Sequence, residues 1–226
     1  MANALIARLP KEHPFQRALF TCEHCERRGG LLDLVPILGW LWRSGRCRVC
    51  RAHVRVQEPV VDAINGVLWL LIAASNPFSP RALALMGFVT VLVVLALIDL
   101  EHQILPDMIT LPGIVVGVAL TQLPGWPVSL LDSALSAALG YFAMMILAKA
   151  AEMYYREEAL GQGDWKMIAM LGAFLGSTKL AFVALAANLL GALVGLLMIA
   201  IMGDEGRQRL PLGTFLGACG ITIIFF

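Results

Sequence analysis

Residues 81–100 read RALALMGFVTVLVVLALIDL, with no charged side chain between Arg81 and Asp99. A helix of twenty residues rises about 30 Å, which is the thickness of a bilayer's hydrocarbon core. This run therefore predicts a membrane-spanning helix with a carboxylate at its end. The whole chain agrees. Of its 226 residues 59% are hydrophobic and 15% charged, and mean hydropathy is +0.78. A soluble domain of this size has too little interior to hide that much apolar surface. The chain reads as an integral membrane protein, and disorder, collagen and coiled coil are excluded by the same numbers.

Working outward, six more apolar blocks surround this one: Val60–Ser75, Met108–Leu123, Leu130–Ala150, Trp165–Gly176, Leu180–Met202 and Leu210–Phe226. Short polar or proline-bearing stretches separate them. The expected fold is an all-α polytopic membrane protein with about seven membrane helices. The block at 165–176 is short and could be tilted or re-entrant. Residues 1–58 are polar and basic and predict a small soluble domain, with residues 59–226 embedded in the membrane. The chain opens into Ala4-Leu-Ile-Ala-Arg-Leu-Pro10, which reads as the tail of an apolar segment. One further helix is expected before it, and no secretory signal peptide is recognisable there.

The net charge of +1 conceals an asymmetry, since ten of the 17 Lys and Arg lie in residues 1–55 beside only four acids. A basic head could bind nucleic acid in principle. Beside a membrane it reads first as a cytoplasmic segment obeying the positive-inside rule, and no nucleic-acid partner is expected. With residues 1–58 inside, the loops 101–107, 151–164 and 203–209 also fall inside, and 76–80, 124–129 and 177–179 outside. Asp99 and Asp164 then lie at the same, cytoplasmic, membrane level.

Four of the five cysteines form two knuckles, Cys22-Glu-His-Cys25 and Cys47-Arg-Val-Cys50, with 21 residues between them. Four thiolates from two tight turns suit a closed tetrahedral zinc site of structural type. The cytoplasmic setting disfavours disulfides, and the flanking arginines favour thiolates. A redox pair or two chance pairs is the alternative. His24 and His53 read as surface histidines near the site, and Cys219 sits apart in an apolar run.

An ionisable residue within a membrane helix is costly and is by default a functional candidate. Asp99 and Asp164 both qualify. Two carboxylates held close cannot both ionise, so one keeps a proton, and such a pair can activate water while protonating a leaving group. That is aspartyl protease chemistry. Structural alternatives stand beside it. Asp164 and Asp107 are placed to cap helices, and Asp99 could pair with Lys166. Asp62 reads as a polar contact between helices, and Asp132 and Asp33 as interface or loop residues.

At these residues the chain resembles the type IV prepilin leader peptidases, also called prepilin peptidase/N-methyltransferases. The resemblance rests on Asp99-Leu-Glu-His-Gln-Ile-Leu-Pro-Asp107 followed by Thr110-Leu-Pro, and on Gly161-Gln-Gly-Asp164 followed by Lys166 and a helix with Gly172 and Gly176. The paired CxxC head, with Val35-Pro-Ile-Leu between its knuckles, also matches. The GxGD element alone is shared with presenilin-like and signal-peptide-peptidase-like proteases. Trp165 departs from the family pattern, where a small β-branched residue is usual, and Pro211-Leu-Gly-Thr-Phe215 resembles its Pro/Phe/Gly-rich stretch only loosely.

The resemblance implies cleavage of the short basic leader of prepilins and pseudopilins, after a glycine, on the cytoplasmic side of the bacterial inner membrane. It implies N-methylation of the new N-terminus with S-adenosylmethionine as donor. By the same resemblance Asp99 and Asp164 are the catalytic pair, and Cys22, Cys25, Cys47 and Cys50 hold zinc. Which aspartate is base and which acid stays open, since the pair titrates as a unit. Two other readings remain: a peptidase whose zinc is merely structural, and an ion-coupled transporter using Asp62, Asp99 and Asp164. Transport would favour inverted repeats, and none is visible.

Overall fold

The computed structural model describes residues 25, 40, 45–47, 49–53, 56–76, 79–156, 161–202 and 210–226. Apart from the cysteine-bearing head these form helices: α1 (Gln57–Ser75), α2 (Pro80–His102), α3 (Asp107–Leu120), α4 (Leu130–Tyr155), α5 (Gln162–Met202) and α6 (Leu212–Ile224). Among the described residues three of them, α2, α4 and α5, are long and apolar enough to cross a membrane, and the others are shorter apolar helices.

Local chemistry sets the ends. Ser79 caps α2 by accepting the Ala82 N–H at 3.3 Å, and Pro80 follows at a position where a missing N–H costs nothing. The same helix stops where Gln103 turns left-handed, φ 54°, and donates its N–H to Asp99 O. Ser129 caps α4 through the Asp132 N–H at 3.2 Å. Beyond Ala150, where the apolar block ends, α4 continues to Tyr155, helped by the Lys149–Glu152 pair one turn apart at 2.7 Å.

A straight helix of 41 residues would be about 60 Å long, twice the hydrocarbon thickness. The α5 run avoids this by breaking at Gly176, with φ 76° and ψ 174°, a backbone conformation open essentially to glycine alone. Neighbours along α6 show that the chain reverses there. In the first limb, 162–175, Gly163 packs against Leu105 beside Gly213, and Leu171 against Gly220, so the limb runs parallel to α6. In the second limb, Lys179 Nζ reaches Ile223 O at 3.0 Å, Gly191 faces Phe215 and Gly195 faces Leu210, so it runs antiparallel. The sequence predicted two helices parted by residues 177–179, and helical geometry instead resumes at Ser177. The reason is an external cap: Asp132, in the first turn of α4, accepts the Ser177 N–H at 3.2 Å, so the restarted helix needs no loop of its own. Asp132 is thus the interface residue expected for it.

The first limb of α5 is the centre of the bundle. Against it α4 lies antiparallel with small residues at the contact: Ser133 Oγ donates to Ala173 O at 2.7 Å, and Gly172 meets the backbone of Ser136. Small residues let two membrane helices approach closely enough for dispersion and such hydrogen bonds to hold them. On the other side α3 runs parallel to it, Gly113 against Met170 and Gly117 against Phe174. Phe174 stacks on Phe88 of α2 with centroids 3.9 Å apart. Leu92, Leu95, Met167, Ile168, Met170 and Leu171 are fully buried here. Val61 joins α1 to α2 through Val93, Val94 and Ile98. The outer faces expose Leu139, Ile146, Leu189 and Leu196, an apolar exterior suited to lipid rather than water.

Candidate active site

One end of the bundle gathers the last turn of α2, the 103–106 connection and the first turns of α3, the α5 first limb and α6. Two of these backbones, those of α5 and α6, converge on Leu105. A Cβ on Gly163 would lie 2.7 Å from Leu105 Cβ, and one on Gly213 would lie 3.0 Å from its Cδ1. Glycine at both places is what allows the approach. Asp99 and Asp164 sit in this convergence with 5% and 8% of their surface exposed. They come from opposite chain directions, one at a helix end and the other at a helix start, and lie close enough for a charge on one to be felt by the other. The sequence-based placement of both aspartates at one level corresponds to what the helices do.

Their surroundings differ. Asp99 Oδ2 accepts the Thr214 backbone N–H at 2.7 Å and lies 3.2 Å from Thr214 Oγ1, and the Gly213 backbone also bonds the carboxyl. The residue preceding α6 is Pro211, which provides no side-chain cap. The carboxylate of α2 does that work across the interface, where the helix dipole favours negative charge. Asp164 is the third residue of α5, and its carboxyl is bonded by the backbone of Gly161, the arrangement of half a capping box. So Asp164 sits in the first turn, reaching back, rather than at the cap position itself.

Two further structural alternatives are corrected. Lys166 does not pair with Asp99. Its Nζ meets Asp107 Oδ1 and Oδ2 at 2.6 and 2.7 Å, because α3 and the first limb run parallel and present those two residues at the same height. Nor does Asp107 cap α3: Pro106 holds the cap position, with no side-chain cap, and Asp107 spends its carboxylate on Lys166. Asp62 is partly buried on α1. Residues 33, 22 and 24 lie outside the described residues. Thr214, Gly213 and Leu105 were missed as site residues by sequence reasoning. The only signal for the first two was the loose Pro211-Leu-Gly-Thr-Phe215 match.

In the head, Cys25, Cys47 and Cys50 bring their sulfurs within 4.8 Å of one another, with Cys25 Sγ to Cys47 Sγ at 4.0 Å. Tetrahedral ligation at about 2.3 Å from a zinc ion requires sulfurs about 3.8 Å apart, so the set fits a metal ion. A tight turn makes the second knuckle: Cys47 N–H donates to Ala52 O at 2.9 Å, and Arg51 N–H donates to Cys47 O at 3.1 Å. His53 bridges to Arg46 and is exposed.

Comparison with known proteins agrees with this layout. Residues 86–196, which include both aspartates, match the type IV leader peptidase family. Residues 1–76 match the bacterial peptidase A24 N-terminal domain. The prepilin leader peptidase/N-methyltransferase of Aeromonas hydrophila is 35% identical over 199 residues, covering 88% of this chain and 68% of the relative. The enzyme of that name from Pectobacterium carotovorum subsp. carotovorum is 36% identical over 208 residues, 89% of this chain and 72% of the relative. An Escherichia coli protein described as a type 4 prepilin-like proteins leader peptide-processing enzyme is 33% identical over 96% of this chain and 76% of its own length. No solved structure matches. With identity above 30% across most of both chains, and the two acids inside the matched segment, the chain belongs to the type IV leader peptidase family.

Proposed function

We propose that the protein removes the leader peptide from type IV prepilins or pseudopilins by aspartyl catalysis at the cytoplasmic face of the bacterial inner membrane, and then N-methylates the new N-terminus. The observation that carries this reading is the meeting of Asp99 and Asp164, largely buried, at one end of the bundle. One carboxylate takes a proton from water as its oxygen attacks the scissile carbonyl. The other carboxyl gives its proton to the leaving amine as the C–N bond breaks, so the dyad ends with its proton exchanged between partners. The relatives' names support the second activity, in which S-adenosylmethionine is a consumed substrate that yields its methyl group to the freed amine. The basic head and the loop charges support a cytoplasmic site. No observation favours transport.

The first test is cleavage of a prepilin-like peptide by the purified protein in detergent or nanodiscs, read by mass spectrometry. Cut peptide ending in glycine is expected, and an intact peptide after prolonged incubation with folded protein would end this reading. A sharper expectation concerns Gly213. A Cβ there would stand 2.9 Å from Asp99 Cγ and Oδ2, so Gly213→Ala must move the carboxylate. Displacements of about 1 Å in a catalytic group cost about 100-fold, and kcat should fall by that order while KM changes little.

Residues 1–58 are proposed as a four-cysteine zinc domain and 59–226 as the peptidase domain. Cys22, Cys25, Cys47 and Cys50 would hold the ion, which supplies a cross-link between knuckles that a short polar segment could not otherwise hold together. Cys47→Ser should drop zinc content from about one per chain towards zero by elemental analysis, and should reduce methyl transfer more than cleavage. Equal loss of both activities would mean that the zinc domain supports the whole fold.

A further inference from the structure

We propose that Thr214 is a positioning residue for Asp99: with the first turn of α6 it clamps one oxygen of that carboxylate, making Asp99 the ionised partner that takes the proton of water and Asp164 the acid that protonates the leaving amine. This rests on the peptidase reading and deepens it.

The asymmetry of donors carries the assignment. Asp99 receives the Thr214 N–H at 2.7 Å, the Gly213 backbone and the Thr214 hydroxyl region at 3.2 Å, all at a helix N-terminus. Among the described residues, Asp164 has one backbone contact, from Gly161. N–H donors favour the charged form of the group they face. Both carboxyls also lie at a helix N-terminus, Asp99 at that of α6 and Asp164 in the first turn of α5, so the dipoles do not separate them and the donor count does. When two carboxyls share one proton, the proton resides on the one with fewer such donors, here Asp164. Thr214 Oγ1 also lies 2.9 Å from Ala96 O. The carbonyl can only accept, so the one hydroxyl hydrogen is shared between Ala96 O and Asp99 Oδ2. Both acceptors belong to the last turns of α2, so the hydroxyl fixes α6 to the helix that carries Asp99. Both Thr214 contacts engage Oδ2, and in the proposed role Oδ1 receives the water's proton. Helix α6 needs the clamp as well, because Pro211 offers it no cap.

Among the described residues, Glu101 and His102 follow Asp99 in the last turn of α2 itself. Asp164 faces Asp99 from α5. From α1, Asp62 adjoins Val61, which packs on Ile98. The first turn of α6, Leu212 to Phe215, carries only neutral side chains. Lys166 is engaged with Asp107.

The test uses the full chain in nanodiscs, a prepilin-like peptide, and pH profiles of kcat/KM for the parent, Thr214→Val and Thr214→Ser. Valine keeps the shape and the backbone N–H and removes only the hydroxyl. A hydrogen bond to a charged group lost in this way should lower kcat on the order of ten-fold to a hundred-fold, with KM within about two-fold. The acidic limb of the profile, which reports ionisation of the base, should move to higher pH, and the alkaline limb should stay. Serine restores the hydroxyl and should return both rate and limb to parental values. Should Thr214→Val fail to fold, Thr214→Ala introduces no new bulk and carries the same expectation. Parental kcat and profile in Thr214→Val overturn the proposal alone. So does a serine variant as impaired as the valine one, since the methyl group would then be what matters. Movement of the alkaline limb instead would reverse the acid and base roles and overturn the assignment. A folded parent that cleaves nothing overturns the peptidase reading itself, and this inference with it.

Discussion

Replacing Asp99 or Asp164 by asparagine should each lower peptide cleavage by about a thousand-fold or more, because general acid and base contributions run to about 10²–10⁴ and neither half of the exchange works alone. Asparagine is the stringent choice. It matches aspartate in size, and its carbonyl oxygen can still accept the Thr214 N–H that now meets Asp99 Oδ2. It cannot take up or release a proton in the working pH range. The loss should therefore come without loss of fold, and Asp164→Asn should melt at the same temperature as the parent or higher. That residue is only 8% exposed and sits beside a second carboxyl, so as the partner that keeps the proton it must stay neutral on burial, and a neutral amide of the same shape avoids that cost. The assay needs three preparations of equal insertion and one leader peptide. Cleavage above about a tenth of the parental rate in either variant would exceed what a lost catalytic proton carrier permits, and the dyad would then be the wrong site.

What was legible in the sequence was what hydrophobicity and charge dictate residue by residue. The seven apolar blocks reappear as helical segments, the first four parted by groups that cannot continue a helix in lipid: Ser79-Pro80, Pro106, and Gly125-Trp-Pro127. The shared level of Asp99 and Asp164 followed from alternation of direction, which needs no contact information. The three cysteines that lie together, Cys25, Cys47 and Cys50, were legible from spacing alone. Pairings across helices were not. Lys166 could have served Asp99 or Asp107 equally by charge, and only the parallel run of α3 beside the first limb of α5 decides for Asp107. Thr214 was invisible for the same reason: a threonine on an apolar helix carries no local sign that a carboxylate 115 positions away lacks donors. The reversal without a loop at Gly176 depended on Asp132 reaching Ser177, again a contact between segments distant in sequence.

The second large effect is structural and concerns Gly172. A Cβ at that position would lie 2.7 Å from Ser136 O, 2.8 Å from its carbonyl carbon and 3.0 Å from Ala137 N. These are backbone atoms of a regular helix, so no rotamer change can clear the space, and α4 must move away from the α5 first limb. Moving it stretches the Ser133 Oγ to Ala173 O hydrogen bond, now 2.7 Å, and opens the seam in which Ile168 packs against Gly140. Overpacking of this kind costs about 1–3 kcal/mol for a methyl group that must be accommodated, and the hydrogen bond adds roughly another 1 kcal/mol. Gly172→Ala should thus lower the melting temperature by several degrees, and Gly172→Leu should prevent assembly of the bundle. Activity should fall further than stability, because the displaced limb begins with Asp164 and the site tolerates little error in position. Gly87 supplies the control. It lies in the middle of α2 with nothing within 4 Å of the Cβ it would gain, so Gly87→Ala should stabilise by up to about 1 kcal/mol through helix propensity alone. Two Gly→Ala changes in apolar helices would then have opposite signs, decided only by what stands beside each. Were Gly172→Ala to melt with Gly87→Ala, above the parent, the close approach of α4 to the catalytic limb would not exist in the membrane, and the means by which Asp164 is held opposite Asp99 would have to be sought in α3 and α6 instead.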